Sequence, residues 1–209
     1  MKAYPSITTK IDFKKPYYLF DKLDGSNIRA EWNQKKGFYK FGSRTQLLTP
    51  EQTTLYPSIE YIKNFTSTTG RDIDTVLRKL KSESIVCFFE WIGPKSFAGS
   101  HTDNMSDMKV VLIDVSIYKK GLLRPERFVE EFSDFEIPNI LHKGKISEEL
   151  FQSVRNRTLD GMTFEGVVGK EAGCTNDGRH DMCKIKSNDW LNKLKEICNG
   201  DEALYSRLK

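Results

Sequence analysis

The sequence predicts an α+β fold. Short runs rich in aromatic and β-branched residues recur along the chain and end in glycine-containing turns, as strands do. Helix start signals and apolar 3.6-residue periods place helices near 50–65, 71–81, 124–132, 147–155 and 188–198. Between two of the strands lies Lys22-Leu23-Asp24-Gly25-Ser26-Asn27, the stretch around which the chain is organised. The 209 residues, 38% hydrophobic and 30% charged, suit one large domain or two small ones with a wet surface. A formal charge of +4 is compatible with a polyanionic partner without requiring one. Four cysteines and three histidines make no disulfide scaffold, and no N-terminal apolar segment resembles a signal peptide or membrane span. A reducing cytoplasm, with no membrane contact, is the expected setting.

In chain order, residues 1–16 are polar without a clear period and are expected over the surface. Tyr17 to Phe20 and Ile28 to Trp32 are strands, and Asp24-Gly25 between them is a tight-turn dipeptide. Asn33 to Gly37 is a hairpin loop, and Phe38 to Phe41 a third strand ending in Gly42-Ser43-Arg44-Thr45. Thr49-Pro50-Glu51-Gln52 opens a helix: Thr49 suits the N-cap, Pro50 the first turn, and Gln52 completes a capping box. Ile59, Ile62 and Phe65 form its buried stripe. The next helix buries Ile73, Val76, Leu77 and Leu80. Ile85 to Phe89 is a buried strand closing on Glu90-Trp91, and Gly93 to Met108 a loop of mixed polarity. Lys109 to Tyr118 is an apolar strand interrupted by Asp114, and Pro125 opens a helix through Phe132. Ile137 to Lys145 is irregular. Ser147 caps a helix, Thr163 to Lys170 is a strand, and Glu171 to His180 is a loop. Asp181 to Lys186 alternates, with Lys184 and Lys186 on one face and Cys183 and Ile185 on the other. Ser187 caps a final helix, and the chain closes in a short helical tail.

Several residues are candidates for chemistry. The turn fixes Lys22 at a strand end bordering a cleft, where burial or neighbouring cations can make a lysine nucleophilic. An exposed hairpin lysine explains this stretch equally well by itself. Arg44, after a glycine at a strand end, can fork onto a phosphate, though a plain surface arginine is the simpler reading. Glu90 and Glu165 stand in apolar runs, where a carboxylate is costly unless paired or bound to a cation, so Glu90 is a candidate metal or ribose ligand. Cys174, His180 and Cys183 fit no standard zinc spacing. Together, one lysine at a turn, one arginine, two glutamates and two lysines on a late strand suit covalent nucleotidyl transfer: a lysine attacks an α-phosphate, cations neutralise its oxygens, and carboxylates hold magnesium.

In order and spacing these residues resemble the covalent nucleotidyltransferases, the ATP-dependent RNA and DNA ligases and mRNA capping enzymes. Lys22-Leu23-Asp24-Gly25 matches their motif I, Phe88-Phe89-Glu90 looks like motif III, and Val111 to Val115 like motif IIIa. Glu165-Gly166-Val167-Val168-Gly169-Lys170 closely matches motif IV, and Lys184-Ile185-Lys186 matches motif V. Ser26-Asn27 and the motif Ia-like Gly42-Ser43-Arg44-Thr45 are similar to the RNA ligase 2 and editing-ligase branch. The chain departs from the family at motif IIIa, where Val111, Leu112 and Ile113 bring no aromatic ring.

The resemblance implies one nucleotidyltransferase domain over 1–209, ATP-grasp-like, with mostly antiparallel sheets packed on helices, the nucleotide between them, and no OB-fold domain. It implies an RNA ligase. Lys22 attacks ATP to form lysyl-AMP, AMP passes to an RNA 5′-phosphate, and a 3′-hydroxyl seals the strand, in single-stranded or nicked duplex RNA. Asp21, Leu23, Asp24, Asn27, Arg44 and Glu90 would contact the nucleotide. Glu165 and Glu90 would hold Mg2+ or Mn2+. Lys184 and Lys186 would contact the α-phosphate and help depress the pKa of Lys22. An accessory protein could supply RNA binding, and a phage or virus could encode such an enzyme. A DNA ligase, a GTP-dependent capping guanylyltransferase and an inactive nucleotide- or RNA-binding module are the alternatives.

Overall fold

The computed structural model describes residues 1–92 and 108–209. The loop expected from Gly93 lies, except for Met108, outside the described residues. Two antiparallel sheets form the body of the fold. The first has the order β7-β1-β8-β9, built from β1 (Pro16–Lys22), β7 (Ile140–Lys145), β8 (Gly166–Glu171) and β9 (Met182–Lys186). The second has the order β3-β2-β4-β5-β6, built from β2 (Ser26–Asn33), β3 (Gly37–Gly42), β4 (Ile85–Ile92), β5 (Lys109–Ile117) and β6 (Gly121–Leu122). The chain crosses from one sheet to the other within Leu23-Asp24-Gly25. The expected tight turn therefore joins two sheets, because β1 pairs with β7 and β8 while β2 pairs with β3 and β4.

Alternation along each strand sorts the faces. In the second sheet Ile28, Ala30, Trp32, Cys87, Phe89, Trp91, Leu112 and Val115 are buried in the main core. They pack with Ile62 of α1 (Ser58–Lys63), Ile73, Val76 and Leu77 of α2 (Ile73–Lys79), and Phe128 and Phe132 of α3 (Pro125–Phe132). In the first sheet Tyr17, Leu19, Val167, Cys183 and Ile185 pack with Val154 of α4 (Glu148–Arg155). Burying each large side chain contributes about 1.5–3 kcal/mol, enough to fix which face of a strand turns away from solvent. Helix α5 (Asn188–Cys198) starts where the Ser187 hydroxyl accepts from the Trp190 backbone N–H, and it packs on α6 (Glu202–Leu208). No described helix is long and apolar enough to cross a membrane.

Three expectations change. The helix expected over 50–65 is reduced to α1. Gln52 Oε1 does accept from the Thr49 N–H at 2.9 Å, the reciprocal half of a capping box, but Pro57 lacks an N–H and cannot sit inside a helix, so residues 50–57 form successive turns. The segment read as irregular, Ile137 to Lys145, contains β7. It is an edge strand whose polar His142, Lys143 and Lys145 hide its strand character, with Gly144 at φ 142°. The N-terminal residues are not all surface cover, since Tyr4 to Ile7 line the central cavity.

Candidate functional site

The strand register builds the site. In the first sheet Lys22 pairs with Gly166, and Gly166 with Lys186; one step along, Phe20 pairs with Val168, and Val168 with Lys184. Directly paired residues share a face, so one face presents Lys22, Lys184 and Lys186 together. Across the gap, Asn27 pairs with Glu90 in the second sheet. Between the sheets lies a cavity of about 570 Å³, bordered by Asp21, Lys22, Leu23, Asn27, Arg44, Glu90, Lys184 and Lys186 among others.

Two glycines allow these approaches. A Cβ on Gly25 would lie 2.6 Å from the Trp91 carbonyl oxygen and 2.9 Å from Glu90 Cγ. With only hydrogen there, the Gly25 N–H reaches Glu90 Oε1 at 3.0 Å. Gly166 has φ +139°, and a Cβ would come 2.0 Å from the Ile185 carbonyl oxygen.

Glu165, 4% exposed, is the electrostatic centre. Its Oε2 lies 2.8 Å from Lys22 Nζ and its Oε1 3.1 Å from Lys186 Nζ. Burial works against the charge on Lys22, but the carboxylates of Glu165 and Glu90 outweigh it and hold its pKa above the ordinary lysine value. Lys184 and Lys186 do repel the Lys22 charge, as expected, but the net pKa is raised rather than depressed. Three carboxylates, of Glu165, Glu90 and Asp24, act on Lys22, and they outweigh the two lysines. The lysines themselves yield: burial, the Lys22 charge adding to it, brings Lys186 down to about 8 against the opposing pull of Glu165, and it lowers Lys184. Burial, then Glu165, raises Asp24 to about 6, and burial raises Glu90 to about 7. The lysine ammoniums also donate to the end of α6, Lys184 Nζ to the Lys209 carbonyl at 2.8 Å and Lys186 Nζ to that of Leu208 at 3.4 Å.

Asp21 is buried and its Oδ1 accepts from the Thr163 N–H at 2.9 Å and the Thr163 hydroxyl at 3.1 Å. It therefore ties β1 to the approach to Glu165 and is not solvated. Arg44 is exposed on the cavity rim. Its loop is held from behind by buried Arg29, whose Nε donates to the Ser43 carbonyl at 2.6 Å. The buried Oδ1 of Asn27 has no hydrogen-bond partner within the protein, which leaves it ready for a ligand donor.

Sequence reasoning missed Tyr4, Arg29 and the Lys170–Asp114 pair. Lys170 and Asp114 are almost wholly buried, with Nζ 2.8 Å from Oδ2, and they join β8 of one sheet to β5 of the other. Asp114 interrupting an apolar strand was the available signal; its distant partners, Lys170 and Tyr4, left none.

Among the described residues no group of three or more histidines, cysteines or acidic residues closes round a metal, and Cys174, His180 and Cys183 form no such group. The oxygens present are carboxylates of Glu165, Glu90 and Asp24; the charges of Glu165 and Asp24 add to the rise at Glu90, and that of Glu165 adds to the rise at Asp24. That donor set fits magnesium or manganese, which take one or two carboxylates and complete their shell with water and phosphate oxygens.

No family model matches the sequence, and no curated protein matches it. Solved structures do match. An archaeal ATP-dependent RNA ligase aligns over 100% of this chain and 56% of its own at 16% identity, with a TM-score of 0.68. A point mutant of the Naegleria gruberi RNA ligase with ATP and Mn aligns over 94% of this chain and 59% of its own, at 17% identity and TM-score 0.62. Another mutant of that ligase, with AMP and Mn, gives 92% and 58%, at 14% identity and TM-score 0.60. The chain thus spans less than two thirds of the ligases it matches. The likeness shows the fold: α+β, as in the nucleotidyltransferase domains of RNA ligases.

Proposed function

We propose that residues 1–209 form a nucleotidyltransferase domain that catalyses ATP-dependent sealing of RNA through a lysyl-AMP on Lys22. The observation that carries this reading is that Lys22 and Lys186, both on the wall of a cavity large enough for a nucleotide, share the buried carboxylate of Glu165. The likeness to ATP-dependent RNA ligases solved with ATP, AMP and Mn supports it.

The residues divide the work as follows. Lys22 Nζ passes a proton to the hydrogen-bonded Oε2 of Glu165, then attacks the α-phosphorus of ATP. A nitrogen–phosphorus bond forms, the bond to the bridging oxygen breaks, and pyrophosphate leaves with the second proton that the nitrogen sheds. Lys184 and Lys186 face the charge that builds on the α-phosphate oxygens. Asn27 Oδ1 and Glu90 accept from ribose hydroxyls. AMP then moves from Lys22 to an RNA 5′-phosphate oxygen, and Lys22 takes back one proton from Glu165 and a second from solvent. Arg44 on the rim faces the incoming end. A 3′-hydroxyl finally displaces AMP and closes the phosphodiester. Glu165 and Glu90 would hold magnesium or manganese, which would supply further charge neutralisation at phosphate oxygens.

The test is joining of a 5′-phosphorylated RNA to a 3′-hydroxyl end with ATP and magnesium, single-stranded and across a complementary splint. Wild type is expected to join one or both and Lys22→Ala neither. Joining by Lys22→Ala would refute the mechanism. Joining of DNA but not RNA, or AMP uptake replaced by GMP uptake, would reassign the substrate.

A further inference from the structure

We propose that Tyr4, carried on the N-terminal segment, contacts the nucleobase in the cavity. This inference rests on the cavity's taking ATP and adds a residue that none of the motifs contains.

The segment is pinned at both ends across the two sheets. On the second sheet, Arg29 Nη1 donates to the carbonyls of Met1 and Lys2, each at 3.3 Å. On the first, Thr8 bridges to Cys183 of β9, and the Lys184 backbone N–H donates to the Thr8 carbonyl at 2.9 Å. The residues between, Tyr4 to Ile7, form part of the cavity wall.

Tyr4 is fixed within that strap. Its hydroxyl donates to Asp114 Oδ2 at 2.7 Å, and Asp114 is held by Lys170 at 2.8 Å. Its ring packs on Phe88 at 4.9 Å. Phe88 is fully buried and does not border the cavity, so Tyr4 stands between it and the open space. Ile113 packs in the same cluster, and Val168 borders the cavity from the first sheet.

The cavity therefore has a chemical polarity. One part is flanked by the ammoniums of Lys22, Lys184 and Lys186. Another is walled by Tyr4 and Ile113, which pack in one cluster beside Lys170, whose ammonium is paired with Asp114. A flat heteroaromatic base with a polyanionic tail matches that division. Among the described residues Phe20 is the other aromatic ring on the wall, but the Lys170 ammonium sits over it at 4.7 Å. Among the described residues Tyr4 is then the ring left to face a base, and its locked hydroxyl means that little side-chain freedom is lost on binding. Base–aromatic contacts of this kind are worth roughly tenfold or more in affinity.

Two probes separate base contact from mere packing: α,β-methylene ATP, which Lys22 cannot cleave, and tripolyphosphate, which has the charge and lacks the base. Both are titrated by calorimetry, with magnesium, into the full chain carrying Tyr4, Tyr4→Phe, Tyr4→Leu or Tyr4→Ala. Tyr4→Ala and Tyr4→Leu are expected to bind the ATP analogue about tenfold more weakly, equivalent to about 1.4 kcal/mol, and tripolyphosphate unchanged. Tyr4→Phe is expected to stay within about threefold of wild type, because the ring remains. Should Tyr4→Ala fail to fold, Tyr4→Leu against Tyr4→Phe decides. Equal losses for both probes would reduce Tyr4 to a structural residue, and unchanged analogue binding by the leucine variant would overturn the proposal. A wild-type chain that binds neither probe would instead refute the nucleotide reading itself.

Discussion

Asp114→Asn tests how the two sheets are locked together beside the cavity. The substitution keeps the shape of the side chain and removes its charge. Lys170, whose side chain is 3% exposed, then keeps an ammonium with no counter-charge, because its other close contacts are the Ile113 carbonyl at 2.7 Å and the rings of Phe20 and Phe128. Removing one partner of a buried pair costs about 3–5 kcal/mol. At about 2–4 °C per kcal/mol for a chain of this size, the melting temperature should fall by about 6–20 °C. The pH dependence adds a sign. Burial already lowers the pKa of Lys170 below the ordinary lysine value, so the unfolded state binds the proton more tightly, and stability rises with pH up to about 10.4, the value for an unfolded lysine. Losing Asp114 depresses the folded pKa further, so the deficit should be largest near neutrality and shrink towards pH 10. Thermal melts by circular dichroism from pH 7 to 10 read this directly. The double variant Asp114→Leu with Lys170→Met should recover most of the loss, since an apolar pair leaves no stranded charge. A single variant that melts within about 2 °C of wild type at pH 7, or a double variant as unstable as the single, would refute the reasoning.

Two other outcomes follow from the site. Lys186 titrates near 8 in the free protein, so kcat/KM for ATP in AMP transfer should fall as pH rises through that value and the ammonium is lost; Lys186→Arg, which keeps its charge, should remove this limb. Gly166→Ala puts a Cβ against the Ile185 carbonyl at an unfavourable φ, and strain plus overpacking should cost about 2–6 kcal/mol. A urea midpoint unchanged in that variant would show that β8 and β9 can part without cost.

Much of the fold was legible because its signals are local. Apolar and aromatic runs marked β1, β2, β4 and β5, and Ser147 and Ser187 announced their helices by side-chain caps that form as read. The alternation of Lys184 and Lys186 against Cys183 and Ile185 holds, with both of the latter in the core. Other features are properties of tertiary partners. Whether Asp24-Gly25 closes a hairpin or crosses between sheets depends on which strands β1 and β2 later pair with, and nothing between residues 17 and 32 states it. The helix expected over 50–65 shrinks to α1 because Pro57 cannot sit inside it, and the N-cap signal at Thr49 carries no information about a proline eight residues on. The protonation balance at Lys22 could not be read from motif order, because it depends on three carboxylates meeting in space. Tyr4 and Arg29 act through contacts with residues far along the chain, such as Asp114 and Ser43.

The most direct test is intact-protein mass spectrometry after incubation with ATP and magnesium, followed by peptide mapping. An AMP adduct, acid-labile as a phosphoramidate is, should appear on the peptide containing Lys22, be absent from Lys22→Ala, and be discharged by pyrophosphate. An adduct on another residue, or one that persists in Lys22→Ala, would contradict the assignment of the nucleophile.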